Sequence, residues 1–139
     1  MKTISSFLTL SVLLLSGCFL SPTVSFKKDV HPILLTNCAI CHSPGGNGYK
    51  KSGYGVLNYE TVMKGTSFGP VIIPRSSINS SLMILLEHKA DPQINMPKDF
   101  TVLVKDHEEF VIPSASSKSL SPAELKTIKD WIDQGALNN

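Results

Sequence analysis

Five consecutive residues, Cys38-Ala39-Ile40-Cys41-His42, place two thiols close together and a histidine directly after them. This C-x-x-C-H spacing is typical of covalent c-type haem attachment. Each thiol can form a thioether to one vinyl group of the same porphyrin edge, and the adjacent imidazole then serves as an axial iron ligand. A chain with this motif has to fold around a large, rigid cofactor. We therefore predict one covalent haem c per chain, bound through Cys38, Cys41 and His42.

Three other interpretations of these residues are weaker. A structural zinc site needs four ligands, and this run supplies three, with no second cysteine pair to complete the set. A thioredoxin-like C-x-x-C follows a strand in a βαβ unit, a pattern that the chain lacks. A structural disulfide across so short a loop would constrain the unfolded chain little.

The first residues indicate export. Lys2 precedes an apolar run over residues 7–15 that is too short to span a bilayer, and the run ends in Leu15-Ser16-Gly17-Cys18. That ending resembles the lipobox of bacterial lipoproteins, whose cysteine is lipidated and becomes the mature N-terminus. An ordinary secretory signal is the alternative. We predict a signal peptide over 1–17, a lipidated tether over 18–25 and a cytochrome c domain over 26–139, held at the periplasmic side of a membrane by Cys18.

Cysteine count and charge agree with this division. Of the three cysteines, Cys18 would carry lipid and the other two haem, so no thiol is left for a disulfide. The whole chain has 13 Lys+Arg and 11 Asp+Glu, and the predicted signal removes only Lys2 from that balance. Without a basic stripe or run, a nucleic-acid partner is not expected.

The periodicity of apolar residues predicts a mainly α-helical domain. Pro32 is expected either in the first turn of the first helix or at a kink. Capping residues Asn58 and Ser121 mark the starts of two further helices, and a glycine-rich segment over 43–58 reads as a loop. Trp131 is expected to pack on the first helix or on the porphyrin. The predicted helices cover residues 26–36, 59–64, 81–88 and 122–134.

Met96 is the best candidate for the sixth iron ligand. It lies in an irregular run and precedes Pro97, which restricts the backbone of the methionine. Thioether ligation opposite histidine suits an electron-transfer haem. The alternative for Met96 is gap filling in the core. Other side chains that could compete are more simply explained as core or surface groups: Met63, Met83, His31, His88 and His107.

Taken together, these motifs resemble the planctomycete-type cytochrome group, small bacterial c-type domains related to class I cytochromes c. The most specific matches are C-x-x-C-H at 38–42 and Trp131-Ile132-Asp133-Gln134-Gly135-Ala136; Met96-Pro97 and shorter matches spread over 26–136 are weaker. The resemblance implies a cytochrome c-like helical fold around one haem, axial ligation by His42 and Met96, and electron transfer.

One segment departs from that family pattern. Residues 98–118 separate Met96-Pro97 from the last helix, where such domains usually have only a few residues. Two β-favouring runs, 101–104 and 110–112, predict an inserted β-hairpin. The insertion leaves open how the methionine side of the haem is covered, and it leaves His107 as an alternative sixth ligand.

Three functions remain in competition at this point. The first is a membrane-anchored, monohaem electron carrier that meets redox partner proteins and is not an enzyme. The second is a haem enzyme or gas sensor with an open sixth position, which needs a distal acid or base. The third is an accessory electron-entry domain that docks a larger enzyme.

Overall fold

The computed structural model describes residues 23–105 and 107–139. The chain is mainly helical, as predicted. A π-helical turn, Phe26–Val30, leads into α1 (His31–His42), which is followed by α2 (Asn47–Ser52), α3 (Tyr59–Lys64) and α4 (Ser81–Leu86); a 3-10 turn, Ser77–Asn79, precedes α4. Strands β1 (Lys98–Lys105) and β2 (Glu108–Ser117) come before the last helix, α5 (Pro122–Asp133).

Helix α1 carries the C-x-x-C-H motif. Pro32 occupies its first turn, where the missing N–H has no intrahelical acceptor to satisfy. The sequence predicts that the first helix ends at residue 36, whereas α1 continues to His42. Asn37 is accommodated because its side-chain amide donates to the main-chain oxygen of Ile33 at 2.9 Å and to Glu124 Oε1 at 3.3 Å. Both thiols and the imidazole therefore stand on one rigid element.

The segment predicted as a loop over 43–58 contains α2. Gly46 provides the extended N-cap of this helix, and Gly53, at φ 73°, ends it in the left-handed conformation that glycine adopts readily. Capping elsewhere follows the prediction. Asn58 and Ser121 each form a capping box at the start of α3 and α5, with Thr61 and Glu124 as the reciprocal partners.

The core forms where α1, the turn before it and α5 meet. Trp131 and Phe26 have ring centroids 5.3 Å apart, and Tyr59 meets Phe26 edge-on at 5.2 Å. The tryptophan thus packs on the first helical segment, one of the two positions that its place on the apolar stripe predicts. Aliphatic residues of these three elements are fully buried around this cluster: Val30, Leu34, Ile128 and Ile132.

The inserted segment is an antiparallel hairpin. Thr101 pairs with Ile112 and Leu103 with Phe110, and the register shifts between Lys98 and Phe100. Lys118 N–H donates to the main-chain oxygen of Pro97 at 2.9 Å, which closes the base of the hairpin directly after Met96. Within the described part of the chain, no helix has the length and apolar character needed to cross a bilayer.

Residues near position 24 are held by residues near position 139. Gln134 Oε1 accepts from the Val24 N–H at 2.7 Å, and Asn139 Oδ1 accepts from the Phe26 N–H at 2.9 Å. The main-chain oxygen of Asn139 also accepts from Ser25 Oγ at 2.7 Å and from the Lys27 N–H at 3.0 Å. The start of the described chain is therefore fixed at the end of α5.

Candidate functional site

One large cavity, of about 810 Å³, lies beside the end of α1. Cys38, Cys41 and His42 all line it, and so does Met96 from the loop after α4. The structure thus brings the four predicted haem-binding residues of the domain to a single cavity. Much of the remaining lining is aliphatic, including Leu34, Val71, Leu82, Leu85 and Leu86, which suits a flat apolar ligand.

His42 has a defined orientation. Its Nδ1 lies 3.1 Å from the main-chain oxygen of Tyr54, and its own main-chain oxygen accepts from the Val56 N–H at 3.1 Å. A proton on Nδ1, donated to Tyr54, leaves the lone pair on Nε2, which is the tautomer that binds a metal through Nε2. Burial lowers the pKa of His42 from its ordinary value of 6.5, and the Tyr54 hydrogen bond partly opposes that shift. A neutral imidazole is the form that ligates.

Space beside the imidazole depends on a glycine. A Cβ at Gly48 would lie 2.8 Å from His42 Cε1 and 2.9 Å from Nε2, closer than real Cβ contacts. At Gly46, a Cβ would lie 2.5 Å from the Cys41 main-chain oxygen. Helix α2 can therefore approach the end of α1 only because these two positions lack side chains. The sequence predicted only a glycine-rich loop over 43–58, and it did not single out Gly48 as the residue beside the ring.

Both thiols are free. Burial, and secondarily the neighbouring Cys41, raises the pKa of Cys38 to about 12, and burial also raises the pKa of Cys41. Both therefore stay protonated near neutral pH. Among the described residues, no three His, Cys, Asp or Glu side chains are arranged to hold a metal ion directly.

Met96 is held by its main chain on both sides. Its N–H donates to the Leu85 main-chain oxygen at 3.2 Å, and its own main-chain oxygen lies 3.1 Å from His88 Nε2. The side chain is half-buried and packs against the core, while Pro97 beside it is buried. The thioether is therefore presented from a fixed backbone, as an iron ligand requires.

A tyrosine with a buried hydroxyl forms part of the cavity wall. Tyr54 lines it and is buried, and its hydroxyl forms no hydrogen bond to the described residues. Burial raises the pKa of Tyr54, with Cys38 as a secondary cause, so the hydroxyl remains a donor. A buried hydroxyl of this kind needs an acceptor. The hydroxyl exposes less than 1 Å², so a ligand in the cavity does not reach it, and the aliphatic walls are the part of the lining that fits a flat apolar cofactor.

The competing side chains lie elsewhere. His31 Nε2 lies 3.2 Å from the Val56 main-chain oxygen, Met83 is buried in the core, and Met63 packs against it. His107 is exposed in the hairpin turn. None of these four is among the described residues that line the cavity. Cys18 and the predicted signal peptide lie outside the described residues.

Sequence reasoning missed the roles of Gly48, the Tyr54 carbonyl and His88. His88 follows α4 with φ 55° and was interpreted as a helix-end or surface histidine. Its position eight residues before Met96 could have suggested a contact across a short loop, but a main-chain acceptor carries no signal in the sequence.

Comparison with protein-family models, with curated protein sequences and with solved structures gives no match for this chain.

Proposed function

We propose that this protein is a monohaem c-type cytochrome that carries electrons, with the haem attached to Cys38 and Cys41 and its iron held by His42 and Met96. The observation that carries the proposal is the single cavity lined by all four side chains. The resemblance to planctomycete-type cytochromes, which rests on the sequence motifs, points the same way.

Each residue has a distinct task in this proposal. The Tyr54 carbonyl fixes the tautomer of His42, Gly48 leaves room beside its Nε2, and the Leu85–Met96–His88 contacts hold the methionine. Haem, when bound, supplies reversible one-electron chemistry at its iron. The protein supplies position, an apolar environment and a soft thioether ligand that favours Fe(II).

A carrier is favoured over a haem enzyme by the lining of the cavity. Among the described residues that line it, there is no Asp or Glu, and His42 is its sole histidine. An enzyme that splits or protonates a bound substrate needs an acid or base there in addition to the iron ligand. Such an acid or base would have to come from groups that this cavity does not present, so an iron with both axial positions filled, by His42 and Met96, is the better account.

Covalent attachment is tested by expression of the exported, full-length chain with the haem-attachment system of a bacterial host. Intact mass should show one haem per chain that acid extraction does not remove. Cys38→Ala with Cys41→Ala should abolish the covalent mass increase. Haem that is extracted by acid from the wild-type protein would overturn the assignment.

The proposal includes lipid attachment at Cys18 and a location at the periplasmic face of a membrane. A second lipid chain distinguishes stable anchoring from marginal binding, because each buried methylene contributes about 0.8 kcal/mol. Cys18→Ser should release the domain from membranes or leave the precursor unprocessed. Mass spectrometry of the mature N-terminus distinguishes lipidation from ordinary signal cleavage.

A further inference from the structure

Three exposed aliphatic side chains belong to segments that contact the end of α5. Ile78 is 83% exposed, Leu137 52% and Ile73 47%. Contacts with α5 place them at one end of the molecule. The Arg75 N–H donates to the Ile132 main-chain oxygen at 2.7 Å, and a Cβ at Gly135 would lie 3.8 Å from both Arg75 Nε and Leu137 Cδ2. We call the surface formed by Ile73, Arg75, Ile78 and Leu137 the α5-end patch.

The patch has a fixed backbone. The Ser77 N–H and Oγ donate to the two carboxylate oxygens of Asp133 at 2.8 and 2.9 Å, directly before Ile78. The Ile73 N–H donates to buried Ser80 Oγ at 2.8 Å, and that hydroxyl donates to the Ser76 main-chain oxygen at 2.8 Å. These bonds fix the backbone that presents the aliphatic side chains to solvent, and exposed apolar side chains that form a contiguous patch mark a contact site.

The predicted lipid tether joins the domain at the same end. Val24 is bound to Gln134, the residue after Asp133, at 2.7 Å. Cys18 lies six residues before Val24, so an extended tether reaches roughly 20 Å. A domain of this size is about 35 Å across. A lipid on Cys18 would therefore keep the end of α5 near the bilayer, whereas the opposite end is beyond the reach of the tether.

Charge at this end suits an anionic surface. Arg75, Lys27 and Lys28 are exposed there. Two acidic side chains lie there as well, Asp133 and Asp29, which accept hydrogen bonds from Ser77 and from the Ser25 N–H, so these basic groups outnumber the acidic ones by three to two. Basic side chains beside exposed aliphatic ones are the combination that binds the interface of a bilayer containing acidic lipids.

We propose that the α5-end patch rests on the bilayer that holds the Cys18 lipid. Ile73, Ile78 and Leu137 would enter the boundary between headgroups and acyl chains, and Arg75 would lie at the headgroups. This inference depends on the lipidation included in the proposed function. None of the four patch residues lines the cavity, so the membrane contact and the cofactor site are separate surfaces.

Hydroxyl-radical footprinting with mass spectrometry tests this contact. The lipidated, haem-loaded full chain is bound to vesicles made of equal parts phosphatidylcholine and phosphatidylglycerol, and it is compared with Cys18→Ser protein in solution. Oxidation of Ile78 and Leu137 should fall several-fold on vesicles. Phe68, which is 91% exposed and lies in a turn bonded to Ser52, is the control and should be oxidised equally in both samples.

A variant makes the test sharper. Ile78→Asp changes an exposed position and should leave the fold and the lipid intact, yet Leu137 on vesicles should return toward its oxidation rate in solution. Phe68→Asp should leave the protection of Leu137 unchanged. Equal oxidation of Ile78 in both samples, with lipid on Cys18 confirmed by intact mass, overturns the membrane contact alone. An unmodified Cys18 overturns the anchor and the contact together. Protection that appears in concentrated Cys18→Ser protein would assign the patch to a second copy and overturn the proposal.

Discussion

The imidazole of His88 lies against the main chain of Met96, with Nε2 3.1 Å from the methionine carbonyl oxygen. Because the carbonyl is an acceptor, Nε2 must carry the proton in this contact. The adjacent Met96 N–H is held by Leu85, so His88 completes the fixation of one residue on both sides. His88 is thereby a positioning residue for the proposed sixth ligand.

We expect His88→Ala to loosen Met96 without removing it. Loss of one neutral hydrogen bond costs about 0.5–1.5 kcal/mol, so binding of carbon monoxide to the reduced protein should become roughly two- to tenfold tighter. The methionine–iron charge-transfer band should weaken, and His88→Gln should restore part of it. His31→Ala is the matched control, because it removes a similar contact to the Val56 carbonyl. If both variants change carbon monoxide binding equally, His88 has only a general role in stability.

Met96→Ala should abolish the methionine–iron band, lower the reduction potential and open the iron to small ligands, since a soft ligand that favours Fe(II) is lost. His107→Ala should change none of these properties, because its side chain is exposed in the hairpin turn. Visible spectra and potentiometric titration of both variants measure the effect. A spectrum altered in His107→Ala and unchanged in Met96→Ala would show histidine as the sixth ligand.

Gly48→Ala tests whether the space beside the His42 imidazole matters more than the helix propensity of position 48. Position 48 lies in α2, where alanine in place of glycine stabilises an ordinary helix by about 0.5–1 kcal/mol. Here the new methyl group would meet the imidazole, so we expect destabilisation by about 1–3 kcal/mol and a lower yield of covalent haem. Thermal unfolding and haem stoichiometry measure both effects. The control is Lys50→Ala, an exposed position of the same helix that is not among the residues lining the cavity, and it should leave haem stoichiometry unchanged. A more stable, fully loaded Gly48→Ala protein would contradict this role.

The capping box of α5 should give the protein a defined acid sensitivity. Hydrogen bonds from Ser121, first from its side chain and then from its backbone, lower the pKa of Glu124 below its ordinary value of 4.5. Because the folded-state pKa is the lower one, the stabilisation is complete above about pH 4.5 and is lost as the pH falls through the folded-state value. We therefore expect the free energy of unfolding in urea to fall less in Glu124→Gln than in the wild type as the pH is lowered from about 5 through the folded-state pKa of Glu124. Thr127→Ala, at an uncharged position of the same helix, is the control and should show the same pH dependence as the wild type.

The predictable parts of this fold are those that depend on neighbours in sequence. Asn58 and Ser121 predict the starts of α3 and α5 because capping is a local interaction. Pro32 marks the first turn of α1 because its ring and missing N–H act on neighbouring residues only. The hairpin was likewise visible in two β-favouring runs.

Interactions between distant residues account for the errors. Asparagine often ends a helix, and the predicted first helix ends at residue 36. Helix α1 nevertheless continues through Asn37, whose side-chain amide reaches Glu124, 87 positions away. Helix α2 has no apolar period, and its place is set by the close approach of Gly46 and Gly48 to the end of α1. The clustering of Cys38, Cys41, His42 and Met96 was foreseeable from chemistry, whereas the carbonyl of Tyr54 and the ring of His88 became visible only in three dimensions.

The bonds between Val24–Lys27 and residues 134–139 have a consequence for the order of events in time. Partners of this stretch lie more than a hundred positions later, at sequence separations of 110 to 114. The bonds that fix this stretch to the end of α5 therefore cannot form until residues 134–139 have emerged as well. During translocation of the proposed exported chain, Cys38 and Cys41 would cross the membrane before residues 134–139. Both thiols would remain accessible until those residues follow. Under the proposed function, haem attachment would have an interval that closes once residues 134–139 bind the Val24–Lys27 stretch.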